Sequence, residues 1–167
     1  EHPAWVIRSS LYEPTLSRHQ LVLDLSNPAV CEYLVDAVSK VLAPGNISYV
    51  KWDMNRHLTD LGSAYLDRKN QNELSHRYVL GLYQVMETLT KRFPQVLFES
   101  CSSGGGRFDA GMLYYMPQTW TSDNTDAVCR LKIQHGTSFL FPTVTMGAHV
   151  SACPNHQVGR TTPLATR

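Results

Sequence analysis

Two kinds of apolar pattern alternate along the chain. QLVLDL (20–25), ISYVKWD (47–53), QVLFESC (95–101), TWTSD (119–123) and SFLFPTVT (138–145) are short apolar runs that predict β-strands. Between them, apolar residues recur at helical spacing. Val30, Tyr33, Leu34, Ala37, Val38, Val41 and Leu42 share one face after Pro28, and Leu74, Tyr78, Leu82, Val85, Met86 and Leu89 share another over 73–92. Pro44-Gly45 ends the first helix and Pro94 follows the second. Shorter helices are predicted near 106–115 and 125–135. Strands alternating with helices imply parallel βαβ units, in either a doubly wound sheet or part of a (β/α)8 TIM barrel. Asp24, Asp53, Glu99 and Asp123 fall at or near predicted strand C-terminal ends, the face that carries the active site in a barrel. A full barrel takes about 250 residues. Five strands would make this chain about five-eighths of one, an α/β fold with parallel strands.

Composition narrows the partners. The 167 residues carry 15 Lys+Arg against 14 Asp+Glu, a formal net charge of +1, which argues against a nucleic-acid or anionic-membrane partner. No run approaches the roughly 20 apolar residues of a membrane span. The start at EHPAWVIRSS, without Met or a signal-peptide pattern, reads as an internal fragment. No linker or charge block divides the chain, so a single domain is expected. Cys31, Cys101, Cys129 and Cys153 form no CxxC pair, and reduced thiols in a cytoplasmic protein are expected. The sequon Asn46-Ile47-Ser48 points the other way.

Candidate chemistry concentrates in two segments. In YVKWDMNRH (49–57), alternation places Lys51, Asp53 and Asn55 on one face and Trp52 and Met54 on the other. A cation beside Asp53 would keep it ionised, fit for nucleophilic attack; a structural Lys–Asp pair is the alternative. In QTWTSDNTDA (118–127), Asp126 reads as a helix N-terminal residue, whereas Asp123 ends a strand at the same mouth as Asp53. One ionised and one protonated carboxylate at one mouth suit glycoside hydrolysis. Trp120 would stack on a sugar face or pack in the core. FESCSSGGGRFD (98–109) lacks a phosphate-loop ending, yet its glycines let a ligand approach the backbone; Cys101 reads as a small buried thiol, and Arg107 and Asp109 as a pair. His149 and His156, near Cys153, meet no known metal-ligand spacing.

Taken together, KWDMNRHLTD (51–60), FESCSSGGGRFD (98–109), WTSDNTDA (120–127) and HVSACPNHQVGRTTPL (149–164) resemble the α-galactosidases of glycoside hydrolase family 36, and HPAWVIR and SRHQLVLDL resemble the segment before them. The resemblance implies Asp53 as nucleophile and Asp123 as general acid/base of a retaining mechanism. It implies sugar contacts at Arg18, Lys51, Asn55, Cys101, Gly104 and Trp120. His19 departs from the family's SRNQ, where Asn stands. Residues 1–167 are then expected to be part of a catalytic barrel, with the flanking β-domains and upstream strands outside it, so the isolated chain would be inactive. The implied substrates are melibiose and raffinose-type galactosides, with no metal or organic cofactor, and the parent protein is expected to be a homo-oligomer. Alternatives are a galactosyl transferase, an α-N-acetylgalactosaminidase, a metal-dependent hydrolase and a non-catalytic galactoside-binding module.

Overall fold

A computed structural model describes residues 2–167. The chain divides into two compact units. The first comprises the chain up to Tyr49 together with Met54–Val96; the second comprises Val50–Asp53 and Leu97–Arg167. Among the described residues, no helix is long and apolar enough to cross a membrane.

The first unit is built on two helices, α1 (Pro28–Leu42) and α2 (Leu74–Arg92). Asn27 starts α1, its side chain accepting from the Ala29 N–H at 3.0 Å, with Pro28 already at a helical φ. The predicted face of α2 is the buried one: Leu74, Tyr78, Leu82, Val85, Met86 and Leu89. The face of α1 is rotated from expectation. Val30, Cys31, Val35 and Leu42 are buried, while Tyr33 and Val41 are exposed. The Cys31 thiol explains the rotation, because it donates to the Leu25 carbonyl at 3.3 Å and lies 3.7 Å from the Gly81 carbonyl on α2. The helix therefore turns its small thiol inward, towards backbone acceptors. Burial, together with the nearby Asp24 and Glu32 carboxylates, pushes this thiol's pKa up and keeps it protonated.

The segment 20–25 is not a strand of the parallel sheet. It forms an antiparallel bridge, Val6 to Leu23, with the Asp24 N–H donating to the Trp5 carbonyl at 2.7 Å. Asp24 is fully buried and satisfied locally, accepting from the Ser26 N–H at 3.0 Å, the Ser26 hydroxyl at 2.6 Å and the Ser63 hydroxyl. It is a structural carboxylate, turning the chain into α1.

In the second unit three strands form one parallel sheet in the order β1 (Tyr49–Asp53), β2 (Leu97–Cys101) and β3 (Gln118–Thr119). β2 and β3 pair with Glu99 opposite Gln118 and Ser100 opposite Thr119. Two helices complete the unit. α3 (Ala110–Tyr115) is capped by Asp109 and α4 (Ala127–Ser138) by Asp126, each carboxylate accepting from the N–H three residues on. This is the α/β, TIM-barrel-type architecture expected.

The predicted strand 138–145 is absent. Thr137 and Ser138 stay helical, their hydroxyls bonded back to the Ile133 and His135 carbonyls; Pro142 supplies no N–H; and Thr143–Thr145 form a 3-10 turn. Parallel pairing with β3 resumes only at Met146, as a single bridge to Thr119. An apolar run was visible in the sequence, but the hydroxyls and the proline within it favour a turn.

Gly81 sets the tightest packing in the first unit: a Cβ there would stand 1.9 Å from the Leu25 carbonyl oxygen. Alanine improves helix propensity by about 1 kcal/mol, but the clash with backbone outweighs it. Gly81→Ala is therefore expected to lower stability by a net 1–3 kcal/mol or so, measured by denaturant unfolding.

Candidate active site

Six of the eight expected site residues, Lys51, Asp53, Cys101, Gly104, Trp120 and Asp123, belong to the second unit; Lys51 lies in the middle of β1 and the other five at or beyond the C-terminal ends of the three strands. Arg18 and Asn55 belong to the first unit.

Alternation along β1 exposes Tyr49, Lys51 and Asp53 and tucks Val50 and Trp52 partly under cover. Lys51 reaches across to Glu99 on β2 at 3.7 Å, and its ammonium also sits 4.3 Å from the centre of the Trp120 ring. The side chain of Glu99 is only 7% exposed while that of Lys51 is 39% exposed, so the lysine brings its charge inward to a buried carboxylate. The sequence had offered Asp53 as the lysine's partner and had not singled out Glu99 as one. The missing signal was the cross-strand register, which a linear sequence does not carry.

Cys101 ends β2 and is 2% exposed. Burial pushes its pKa up, and a hydrogen bond to Asp53 with that carboxylate's charge adds to the rise; the Gly104 backbone and Lys51 oppose it. The thiol thus stays protonated and serves Asp53 as a donor rather than acting as a nucleophile itself.

The loop after β2 is fixed by its own backbone. Ser102 N–H donates to the Gly104 carbonyl at 2.9 Å, and Ser103 and Gly104 have φ of 48° and 91°. A Cβ on Gly104 would lie 2.8 Å from the Ser122 Cα and 3.2 Å from the Asp123 nitrogen. The glycine loop is therefore seated directly against the backbone that carries Asp123. Arg107 clamps the loop's other end, donating to the Trp52 carbonyl at 2.9 Å and the Cys101 carbonyl at 3.1 Å, and so ties the end of β1 to that of β2. The sequence had paired it with Asp109, which caps α3.

Beyond β3, Trp120 is a junction. Its indole N–H donates to Asp123 Oδ1 at 3.0 Å, the Arg130 guanidinium lies 4.6 Å from its ring centre, and His149 meets it edge-on at 5.1 Å. Burial, with Arg130 and Lys51 nearby, lowers the pKa of His149, so this imidazole is neutral at pH 7. Buried Arg130 also donates to the Ser122 carbonyl at 2.9 Å. Asp123 itself is exposed. Among the described residues, no group of three or more His, Cys, Asp or Glu side chains is arranged to hold a metal ion.

In the first unit, Arg18 and His19 occupy a tight turn, with the Gln20 N–H on the Ser17 carbonyl at 3.0 Å and φ of 53° and 58°. Two consecutive positive φ values are those of a type I′ turn, which favours Asn. Histidine is the other larger residue that tolerates this region, so His19 keeps the turn. Buried Arg56 anchors the same stretch, donating to the Thr15 and Gln20 carbonyls and pairing with Asp60 at 3.7 Å.

Two outcomes follow from this geometry. Gly104→Ala combines a left-handed φ with a backbone clash and is expected to cost about 1–3 kcal/mol of stability, read by denaturant unfolding. At Asp126, burial alone would raise the pKa, but hydrogen bonds from Cys129 and the Arg160 guanidinium at 3.0 Å outweigh it and hold the carboxyl below its usual range. Its contribution to stability is present above about pH 4 and is lost as pH falls through the lowered value. Asp126→Asn should therefore destabilise at neutral pH and flatten the acid arm of a pH–stability curve.

The comparisons with known proteins agree on one family. The Melibiase family profile matches residues 1–167. Alpha-galactosidase AgaA of Geobacillus stearothermophilus is 61% identical over the whole chain, which spans 23% of that protein's length; alpha-galactosidase 1 of Pediococcus pentosaceus is 52% identical over the same span. The crystal structure of the GH36 enzyme AgaA superposes on 99% of this chain with a TM-score of 0.95, covering 23% of its own length. The alpha-galactosidase structure from Lactobacillus brevis superposes equally well at 55% identity and 22% of its length. On these matches the chain belongs to the Melibiase family, among the relatives of the GH36 alpha-galactosidases.

Proposed function

We propose that the protein carrying this chain is a retaining glycosidase that removes terminal α-D-galactosyl residues from galactosides such as melibiose and raffinose-type oligosaccharides. The observation that carries the reading is the placement of two exposed aspartates, Asp53 and Asp123, at the C-terminal side of one parallel sheet, each with a dedicated donor. Cys101 serves Asp53 and the Trp120 indole serves Asp123. The relatives support the same pair. The Geobacillus stearothermophilus AgaA raffinose complex carries one Asp→Asn substitution and its stachyose complex an Asp→Ala substitution. Those two positions are 70 residues apart, the separation of Asp53 from Asp123.

In this mechanism Asp53 attacks the anomeric carbon as the glycosidic bond breaks, and Asp123 gives its proton to the departing oxygen. A β-linked galactosyl ester on Asp53 results. Asp123, now a base, takes a proton from water, which attacks the same carbon and releases galactose with its configuration retained. The expected spacing of the two carboxyl groups is about 5–5.5 Å. Because a carboxylic acid serves the leaving group, the chemistry calls for no cofactor. Lys51, Gly104 and Trp120 are the proposed sugar contacts in this unit. A contact from Gly104 would come from its backbone, since the direction of a Cβ is filled by Ser122. The resemblance adds Arg18 and Asn55 as proposed sugar contacts. The chain would form part of a catalytic barrel, with β-domains and upstream strands supplied outside it. A reducing, cytoplasmic location accords with four free cysteines.

The test is Asp53→Gly in the full-length protein, assayed on an activated aryl α-galactoside. Turnover is expected to fall by roughly 10³-fold or more. Added azide should restore it and yield β-galactosyl azide. Near-normal turnover by the variant would remove Asp53 as nucleophile.

A further inference from the structure

The segment 152–160, ACPNHQVGR, has no part in the chemistry above, yet it is docked on the loop that carries Asp123. Gln157 makes the contact with both ends of its carboxamide. Its Nε2 donates to the Asp123 carbonyl at 2.9 Å, and its Oε1 accepts from the Thr125 N–H at 2.7 Å and the Thr125 hydroxyl at 3.0 Å. A carboxamide is a neutral side chain that can satisfy a backbone acceptor and a backbone donor together, as a neighbouring strand would. The loop thereby gains an edge partner without being part of a sheet.

Gln157 is itself held in place. Buried Asn155 accepts from the Gln157 and Val158 N–H groups at 2.9 and 3.2 Å, and donates to the Thr125 hydroxyl at 3.1 Å. The Asn155 N–H bonds the Arg160 carbonyl at 2.9 Å and the Gly159 N–H bonds the Asn155 carbonyl at 2.8 Å, closing the segment on itself. Arg160 then reaches Asp126 at 3.0 Å. On the preceding side, Arg130 holds the Ser122 carbonyl and Gly104 abuts the Ser122 Cα. The carbonyls of residues 122 and 123 are thus held from two separate elements, and the carboxyl between them is left exposed.

We propose that Gln157 is a positioning residue for the general acid/base: by fixing the two peptide units that flank Asn124, the first of which begins at the Asp123 carbonyl, it aims the Asp123 carboxyl at the glycosidic oxygen. The proposal rests on the reading of Asp123 as acid/base. A misplacement near 1 Å at a reacting group costs about a hundredfold in rate. An exposed loop carrying the acid therefore needs a clamp of this kind.

The experiment uses the full-length protein with Gln157→Met, which keeps the side-chain length and removes both hydrogen-bonding ends. kcat/KM reports the steps through glycosidic cleavage. Proton donation matters most there for a sugar leaving group and least for a dinitrophenolate, which departs unaided. The expected loss is about tenfold to a hundredfold on raffinose. On a dinitrophenyl α-galactoside the change should stay within about threefold, with the melting temperature near wild type. Asp123→Ala, assayed alongside, should show the same split more strongly. If Asp123→Ala shows the split and Gln157→Met loses equally on both substrates, or on neither, the positioning role is overturned alone. If Asp123→Ala shows no split, the acid/base reading falls and the proposal falls with it. Gln157→Glu keeps an acceptor for Thr125 but turns a charged, acceptor-only oxygen towards the Asp123 carbonyl, so it breaks the same contact and carries the test should Gln157→Met not fold. Failure of both to fold would make the residue structural and overturn the proposal.

Discussion

The ammonium of Lys51 is the tie on which the site depends. It leaves β1, meets the buried Glu99 carboxylate of β2 and lies over the indole that follows β3. One cation thereby joins the middles of β1 and β2 to the residue that follows β3. A carboxylate as enclosed as Glu99 needs a positive partner close by, because desolvation disfavours its charge. Trp120 adds the face of its π-system as a second, weaker attraction. The consequence reaches the chemistry, since the Trp120 indole N–H is also the donor to Asp123. Position is thus relayed from the middle of β1 to the acid beyond β3 through side chains alone.

The two aspartates are held in different ways. Asp53 is the last residue of a strand, so the ladder places its backbone, and the Cys101 thiol on the next strand end supplies its donor. Asp123 follows a two-residue strand and sits in a loop. That loop is placed by neighbours: Gly104 abuts it, Arg130 and Gln157 hold adjacent carbonyls, and the capping carboxylate of Asp126 fixes where α4 begins. Rigid backbone with an exposed carboxyl suits the acid/base role proposed for Asp123, because such a residue must exchange its proton without moving.

Much of this was legible from residue patterns. The second long helix, expected over 73–92 and found at Leu74–Arg92, follows from six apolar residues on one face, and the ends of α1 follow from Pro28 and Pro44-Gly45, because local periodicity and helix breaking are properties of neighbouring residues. Asp53 stood out as a strand-end acid and Asp126 as a helix start for the same reason, whereas Asp123, read as the end of a strand, lies in the loop beyond the two-residue β3. Where tertiary contacts compete with local pattern the reading fails. The run 138–145 is apolar enough for a strand, yet hydroxyl back-bonding and Pro142 bend it into turns; 20–25 pairs with residues near Val6 instead of joining the sheet. The buried face of α1 is set by where Cys31 finds acceptors, on Leu25 and Gly81.

By itself, then, the sequence determined the two long helices, three of the five expected strands and the helix start at Asp126, since each depends on residues within a turn or two. Only the tertiary structure decided the partners: Glu99 for Lys51, Cys101 for Asp53, the indole of Trp120 for Asp123, and Gln157 for the loop between them. Those pairs join residues from 3 to 48 positions apart in the sequence, and all but one span separate elements. Their meeting depends on strand register and on the close approach of glycine-bearing backbone, and neither leaves a periodic trace in a linear chain.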